Sequence, residues 1–414
     1  MILRRPRVVI TGMGVLAANG IGLDTFWDSL VNGRHGMGPI TLYDTTDYAI
    51  KVAGEVKNFD LADYVNGEFK AKRLARHTQF AVVATRMAMV QAGLTIDAIK
   101  NLGAAAINFG VSTSAIEIIH ACYRDVTTKG PGRVNPFLLA ASQPNDVVGV
   151  LGGYLGINDR MTLSTACSAG MDAVVYSDKL IREGKADIVV AGGADAPINS
   201  LTMASFSAAG VLPEASLASM LNRPFDKNRK GGLFAEGAAV LILERLEHAL
   251  ARGATPLAEI LGHGSVCDND RTGTLESMPA AIQSAMDNAG VGPTEIHYIS
   301  AHGTGNAHLD VREAAAINSV FGDHARDIPV NSIKGSVGNP LSAAGVMQIV
   351  AGVCAMQSGM VPPTANLEEV DPACAGPLYV QREPLFRTIG RTLVNTHGMG
   401  GSNTCMILGS ARSA

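Results

Sequence analysis

Short Val- and Ile-rich runs, closed by glycines and separated by longer amphipathic stretches, constrain this chain to α/β layers. Runs of this length suit buried strands, and the intervening segments have room for helices. Residues 7–11 (RVVIT) read as a strand leading into Gly12, Met13 and Gly14, and Asp24 is placed to cap a helix that ends at Gly33. Residues 161–166 read as a strand, followed by a helix from near Cys167 to near Gly184. Met171, Val174, Val175 and Ile181 fall at helical spacing on it and should face the core. Residues 187–190 form another buried strand, closed by Gly192 and Gly193, and residues 238–243 precede a helix starting at Glu244. The theme returns in the second part. Residues 296–300 are a strand delivering His302, residues 328–333 lead into a glycine-rich turn, and residues 392–395 precede HGMGGSN. Two similar α/β halves, 1–254 and 255–414, are the expected division.

Composition narrows the function. Of 414 residues, 47% are apolar and 17% charged, against about 25% charged in ordinary soluble proteins. This suits a large interior or a broad subunit interface. A net charge of −4 gives no support for nucleic-acid binding. The basic stretch 70–76 (KAKRLAR) is local, either a solvated helix face or a docking patch for an acidic carrier protein. The six cysteines, at 122, 167, 267, 354, 374 and 405, show no paired spacing, so neither a zinc site nor a disulfide framework is expected. The start MILRRPRVVITGMG lacks a secretory pattern, and no apolar stretch is long enough to span a membrane. A reducing cytoplasm is the expected location.

The most informative segment is 164–170, STACSAG. A cysteine where a buried strand meets a helix N-terminus sees the positive end of the helix dipole, which favours thiolate. A free cysteine can equally be a packing residue. Three further polar clusters follow on glycine loops after apolar strands: 301–306 (AHGTGN), 331–339 (NSIKGSVGN) and 395–403 (NTHGMGGSN). Loops at strand ends are where α/β proteins usually carry their sites.

With these motifs the chain resembles the β-ketoacyl synthases, most closely the elongating enzymes of fatty acid synthesis and the ketosynthases of type II polyketide pathways. The resemblance runs from RVVITGMGVLAANGIG to GMGGSNTCMILG, essentially the whole chain. It implies the thiolase fold: αβαβα layers in two halves related by a pseudo-twofold axis, assembled as dimers. By the same resemblance Cys167 is the acyl-accepting nucleophile, His302 the first catalytic histidine and Lys334 a structural lysine. Glu313 is a buried acid supporting the site, with Asp310 in the same pattern. Thr304 contacts a phosphopantetheine arm, and Met399 stands where a gating phenylalanine usually lies, its backbone N–H joining that of Cys167 as an oxyanion hole.

Four departures from the family pattern follow. Asn339 replaces the second histidine of the elongating enzymes, and a carboxamide can donate a hydrogen bond but cannot carry a proton. The resulting Cys-His-Asn set is similar to that of chain-initiating ketosynthases. Asn306 replaces a hydroxyl that meets the pantetheine arm. The gate reads His397-Gly398-Met399-Gly400-Gly401 instead of Phe-Gly-Phe-Gly-Gly, so His397 is either a packing substitute or a new acid–base group. The segment 264–274 lacks the family's usual histidine, with Asp270 near its place.

The resemblance implies an acyltransferase that is acylated on Cys167 and condenses the acyl group with a malonyl-carrier-protein thioester. Non-elongating acyl transfer or cyclisation remains open, as does service as one subunit of a heterodimer. A non-catalytic chain-length factor is disfavoured by the intact TACSAG, a papain-type hydrolase by the absence of its cysteine signature; a thiolase would share the fold but work without decarboxylation. No metal or redox cofactor is implied, since phosphopantetheine arrives on the acyl carrier protein. The expected assembly is a homodimer or a heterodimer with a related subunit.

Overall fold

A computed structural model describes residues 6–101, 103–212, 221–269 and 273–411. Asp270 lies outside them. The principal strands are β1 (Val8–Ala17), β2 (Ala105–Gly110), β3 (Asp159–Leu163), β4 (Ile188–Asp195), β5 (Gly237–Arg245), β6 (Ala258–Cys267), β7 (Tyr298–Ser300), β8 (Pro329–Asn331), β9 (Leu378–Tyr379), β10 (Arg391–Gly398) and β11 (Ser402–Ser410). The helices used below are α1 (Leu23–Val31), α2 (Arg76–Gln91), α3 (Ile116–Lys129), α4 (Asp146–Leu155), α5 (Ala169–Arg182), α6 (Ser200–Ala208), α7 (Met278–Ala289), α8 (Ala307–Phe321), α9 (Lys334–Val337) and α10 (Ala343–Ser358).

The strands run in the order β9-β8-β7-β10-β11-β6-β1-β5-β4-β2-β3. In β3-β2-β4-β5-β1 the first three strands are parallel and the last two join antiparallel. The set β8-β7-β10-β11-β6 repeats that pattern. The helices repeat it too, with α5 between β3 and β4 and α10 between β8 and β10. This correspondence is the pseudo-twofold relation of the thiolase fold. The two sets touch where Val8, Val9 and Ile10 of β1 pair with β6.

Alternation along the strands builds the layers. Val189, Ala191, Leu241 and Leu243 face a central core with α5 and α10, while Ile188, Val190, Val240 and Ile242 face α2 and α4. In the second set Val394, Met406 and Leu408 face the centre, while Leu393, Cys405 and Ile407 face α7 and α8. Both faces of each sheet are covered, as parallel strands require. Helix α10 is buried along Ala343–Ala355 and apolar almost all round, which marks a central helix. Met171, Val174, Val175 and Ile181 of α5 face the core as their spacing predicts. Among the described residues no helix is long and apolar enough to cross a membrane.

Several boundaries differ from the sequence expectation, and glycine accounts for most of them. β1 continues through Gly12 and Gly14, and β4 through Gly192 and Gly193. These glycines mark close backbone approach instead of turns: a Cβ on Gly14 would lie 1.9 Å from the Ala84 carbonyl oxygen of α2. Likewise β10 runs on through His397 and Gly398. Asp24 is not the cap of α1; that residue is Gly22, and Asp24 sits in the first turn. Glu244 does not open a helix. It is buried in β5, held by Arg252 Nε at 2.8 Å and His248 at 2.7 Å, and the helix begins at Leu246. The predicted strand at 161–166 stops at Leu163. The 70–76 stretch is a short 3-10 turn, not a helix face. Lys70, Lys72 and Arg73 are exposed on it, while Arg76 turns inward to bond Glu236 at 2.6 and 2.8 Å.

The tightest approach lies at the centre. The carbonyl oxygen of Ser342, just before α10, would be 2.2 Å from a Cβ on Gly170 of α5 and 2.4 Å from one on Gly193 of β4. Gly193→Val should therefore lower stability by about 1–3 kcal/mol through overpacking. Thermal unfolding checks this, and an unchanged midpoint would contradict the close approach.

Candidate active site

Cys167 stands on the 3-10 turn Ala166–Ser168 between β3 and α5. Ala166 has φ of 55°, a left-handed conformation uncommon outside glycine, which sharpens the turn. Ser168 donates to the Thr165 carbonyl at 2.8 Å, and Asp172 of α5 accepts from Thr165 Oγ1. From the other half, Thr404 of β11 donates to the same carboxylate at 2.6 Å. The Cys167 turn is thus clamped from both halves.

Burial pushes the Cys167 thiol up to about 11, and the Asp195 carboxylate adds to the rise; Lys334 and the backbone N–H groups of Met399 and Cys167 pull the other way. This desolvation opposes the thiolate expected at a helix N-terminus, and the helix proper starts two residues beyond Cys167. Cys167 is partly buried and faces the cleft.

His302 follows β7 in a loop held by two carboxylates of α8. Glu313 accepts from the N–H of His302 at 2.7 Å and of Gly303 at 2.8 Å; Asp310 accepts from Thr304 at 3.0 Å and Gly305 at 3.1 Å. The acids are three residues apart, so they share one helix face. Burial raises both, Asp310 to about 7. Behind the imidazole, Lys334 Nζ donates to the His302 carbonyl at 2.5 Å and lies 3.4 Å from Nδ1. Burial lowers this lysine to about 8. The backbone N–H of His397 donates to His302 Nδ1 at 3.2 Å. Nδ1 is therefore an acceptor, and the neutral ring carries its proton on Nε2. Burial and the neighbouring Lys334 hold His302 well below its ordinary value, so it stays neutral.

A cavity of about 740 Å³ joins these groups. Cys167, His302, Asn339, His397, Met399, Thr304 and Asn306 all line it, whereas Lys334 and Glu313 stand behind its wall. Ile116, Phe206, Val211, Phe234 and Leu341 give it an apolar side. Asn339 is buried and its carboxamide oxygen has no hydrogen-bond partner among the described residues. Asn306 uses its side-chain oxygen to cap α8, accepting from His308 at 2.9 Å and Leu309 at 3.1 Å.

Three further residues complete the site. Asp195 accepts from the N–H of Thr113 at 2.8 Å and of Ser342 at 3.0 Å, tying the two halves together beside Cys167. Asn403 receives the His397 ring at 2.9 Å and donates to Asp268 at 2.8 Å. Asn403 lies within the 395–403 motif and Asp268 within the 264–274 segment, but the sequence there gives no sign of their pairing.

Residues 5–249 match the family described as Beta-ketoacyl synthase, N-terminal domain, and residues 257–368 that described as Beta-ketoacyl synthase, C-terminal domain. The chain is 35% identical over 414 residues to the 3-oxoacyl-[acyl-carrier-protein] synthase 2 of Synechocystis sp., covering 98% of each. It superposes on the ishigamide ketosynthase/chain length factor structure with TM-score 0.91 at 35% identity, covering 98% of this chain and 99% of that one. A type II PKS ketosynthase solved in complex with its acyl-carrier protein gives TM-score 0.90 at 29% identity, with 99% and 100% covered.

The thiol should titrate above its ordinary value near 9. Ultraviolet thiolate absorbance, wild type minus Cys167→Ala, measures this; a difference signal that is complete at neutral pH would contradict the burial argument.

Proposed function

The chain belongs to the β-ketoacyl synthase family and is a ketosynthase-type acyltransferase; from that premise we propose that it carries its acyl group on Cys167 and condenses it with a malonyl-carrier-protein thioester. The observation that carries this reading is the sharing of one cavity by Cys167, Met399, Asn339 and the neutral His302 donor. In the first half-reaction Cys167 sulfur attacks the acyl thioester carbonyl. The developing oxyanion meets the N–H groups of Cys167 and Met399, an arrangement worth about 3–4 kcal/mol per donor. The pantetheine sulfur leaves as a thiol. In the second, the malonyl thioester loses carbon dioxide, and the enolate oxygen receives hydrogen bonds from His302 Nε2–H and the Asn339 carboxamide. The enolate carbon then attacks the acyl carbon on Cys167, the C–S bond breaks, and a β-ketoacyl thioester departs. Asn339 lines the cavity with His302, and its carboxamide N–H groups suit a donor facing the substrate.

Lys334 and Glu313 act as positioning residues: one supplies fixed positive charge behind His302, the other orders its loop. Thr304 and Asn306 line the wall where a phosphopantetheine arm would run, the arm being part of the carrier-protein substrate. The exposed Lys70, Lys72 and Arg73 offer an acidic carrier protein a complementary surface. Asn339 also supports a second reading, non-elongating acyl transfer or cyclisation, because no proton can be exchanged at that position.

For assembly, β3 ends the strand path, with one neighbour only, and Met161 on it is exposed. Ile119, Tyr123 and Val126 share one exposed face of α3, and Phe137 and Leu139 are exposed nearby in sequence. Such a strand edge with apolar surroundings suits pairing with a second subunit, identical or related.

Incubated with acyl- and malonyl-carrier proteins, the enzyme should gain the acyl mass on Cys167 and release a β-ketoacyl product. Cys167→Ala should abolish both, and Asn339→Ala should slow condensation more than acylation. Neither acylation nor product would sink the proposal; acylation without condensation would select the second reading. Leu139→Glu combined with Met161→Lys should shift the protein to monomer in size-exclusion chromatography, and an unmoved profile would place the interface elsewhere.

A further inference from the structure

We propose that His397 is the proton acceptor of this site, taking the Cys167 proton as the acyl thioester is attacked. The inference rests on the acyl-cysteine reading above and assigns a proton path that Asn339 cannot provide.

The hydrogen-bond network determines where the proton sits on the ring. Asn403 donates through its Nδ2 to an Asp268 oxygen at 2.8 Å and to the Gly401 carbonyl at 3.1 Å. Those partners accept only, so the Asn403 amide oxygen points at His397 Nδ1, 2.9 Å away. Nδ1 must then be the donor, and the lone pair of the neutral ring lies on Nε2. Asp268 is itself locked, accepting from the N–H groups of Thr274 at 3.0 Å, Leu275 at 2.8 Å and Ser277 at 2.8 Å. A carboxylate, a carboxamide and an imidazole thus stand in series and end at the cavity.

His302 holds the opposite tautomer. Its Nδ1 accepts and its Nε2 donates, and the two rings stand edge to face with centroids 5.7 Å apart. One imidazole can stabilise an oxyanion; the other can receive a proton. Among the described residues no other group in the cavity offers the latter in a sheltered place, since His308 and Arg312 sit on exposed parts of α8. His397 and Cys167 line the same cavity. The backbone just after His397 lies against the cysteine turn, where a Cβ on Gly398 would come within 2.7 Å of the Thr165 carbonyl oxygen. At Gly273, with φ of 74°, a Cβ would lie 2.6 Å from His397 Nε2, so a side chain there would crowd this nitrogen.

The step balances without an outside reagent. Sulfur bonds to the thioester carbon as its proton passes to His397 Nε2. The tetrahedral intermediate then expels the pantetheine thiolate, which takes the proton back from the imidazolium. The groups facing His397 are His302 from the 301–306 loop, Lys334 from α9, Asp268 from the 268–277 loop and Asn403 from β11. Burial lowers His397, with Lys334 acting the same way and Asn403 and Asp268 opposing it. The ring is therefore unprotonated at neutral pH.

The test is the rate of Cys167 acylation by an acyl-pantetheine thioester, followed by intact mass across pH in wild type, His397→Phe and His397→Ala. The wild-type rate should fall as pH drops below the ordinary histidine value of 6.5, where the base becomes protonated. His397→Phe should acylate about 10²-fold or more slowly and lose that inflection, and added imidazole should restore His397→Ala. The proposal is overturned by a pH-independent wild-type rate, by His397→Phe acylating like wild type, or by failure of imidazole to accelerate His397→Ala. A wild-type enzyme that never becomes acylated would instead defeat the acyl-cysteine reading itself.

Discussion

Much of the molecule depends on the contact among three backbones at its centre. The Ser342 carbonyl fits against Gly170 and Gly193, where side chains would collide with it. The same Ser342 donates its N–H and its hydroxyl to Asp195. Because α5 and α10 begin at this point, their first turns are fixed to each other, and so are the loops carried by the adjoining strands. Side chains more than 130 residues apart in the chain, such as Cys167 and His302, can then share a cavity without any flexible linker setting their separation.

Buried carboxylates extend this rigidity to the loops. Glu313, Asp310, Asp195 and Asp268 each accept from two or more backbone N–H groups that no strand or helix ladder satisfies. Such charge-assisted bonds are stronger than neutral ones, and the desolvation cost of each acid is offset by several donors at once. Gln348 of α10 adds a neutral version, donating to the carbonyls of Ser300 and Ala301 at the end of β7 and of Asn395 within neighbouring β10. The wall of the cavity is therefore preorganised from behind.

The layers were legible in the sequence because they follow from alternation: Val189 and Val190 face opposite cores as a period of two demands. Strand ends were less legible, since Gly12, Gly14, Gly192 and Gly193 can signal either a turn or a close approach, and only the neighbouring helix decides which. The site showed the same division. Cys167, His302 and Asn339 announced themselves in glycine-rich loops, whereas Asp195 and Asp268 had no local signature, their role being defined by partners distant in the chain. The surroundings of Cys167 were only partly legible for a related reason. A helix N-terminus is a local feature, but desolvation is set by everything that packs around the turn.

Lys334 has a consequence of its own. Its ammonium is sealed behind the wall and anchored to the His302 carbonyl. Anything negative that forms in the cavity, on sulfur or on oxygen, feels the same positive source. A charge set back in this way reaches the whole cavity, whichever of Asn339, His397 or Met399 stands at the surface nearest to it.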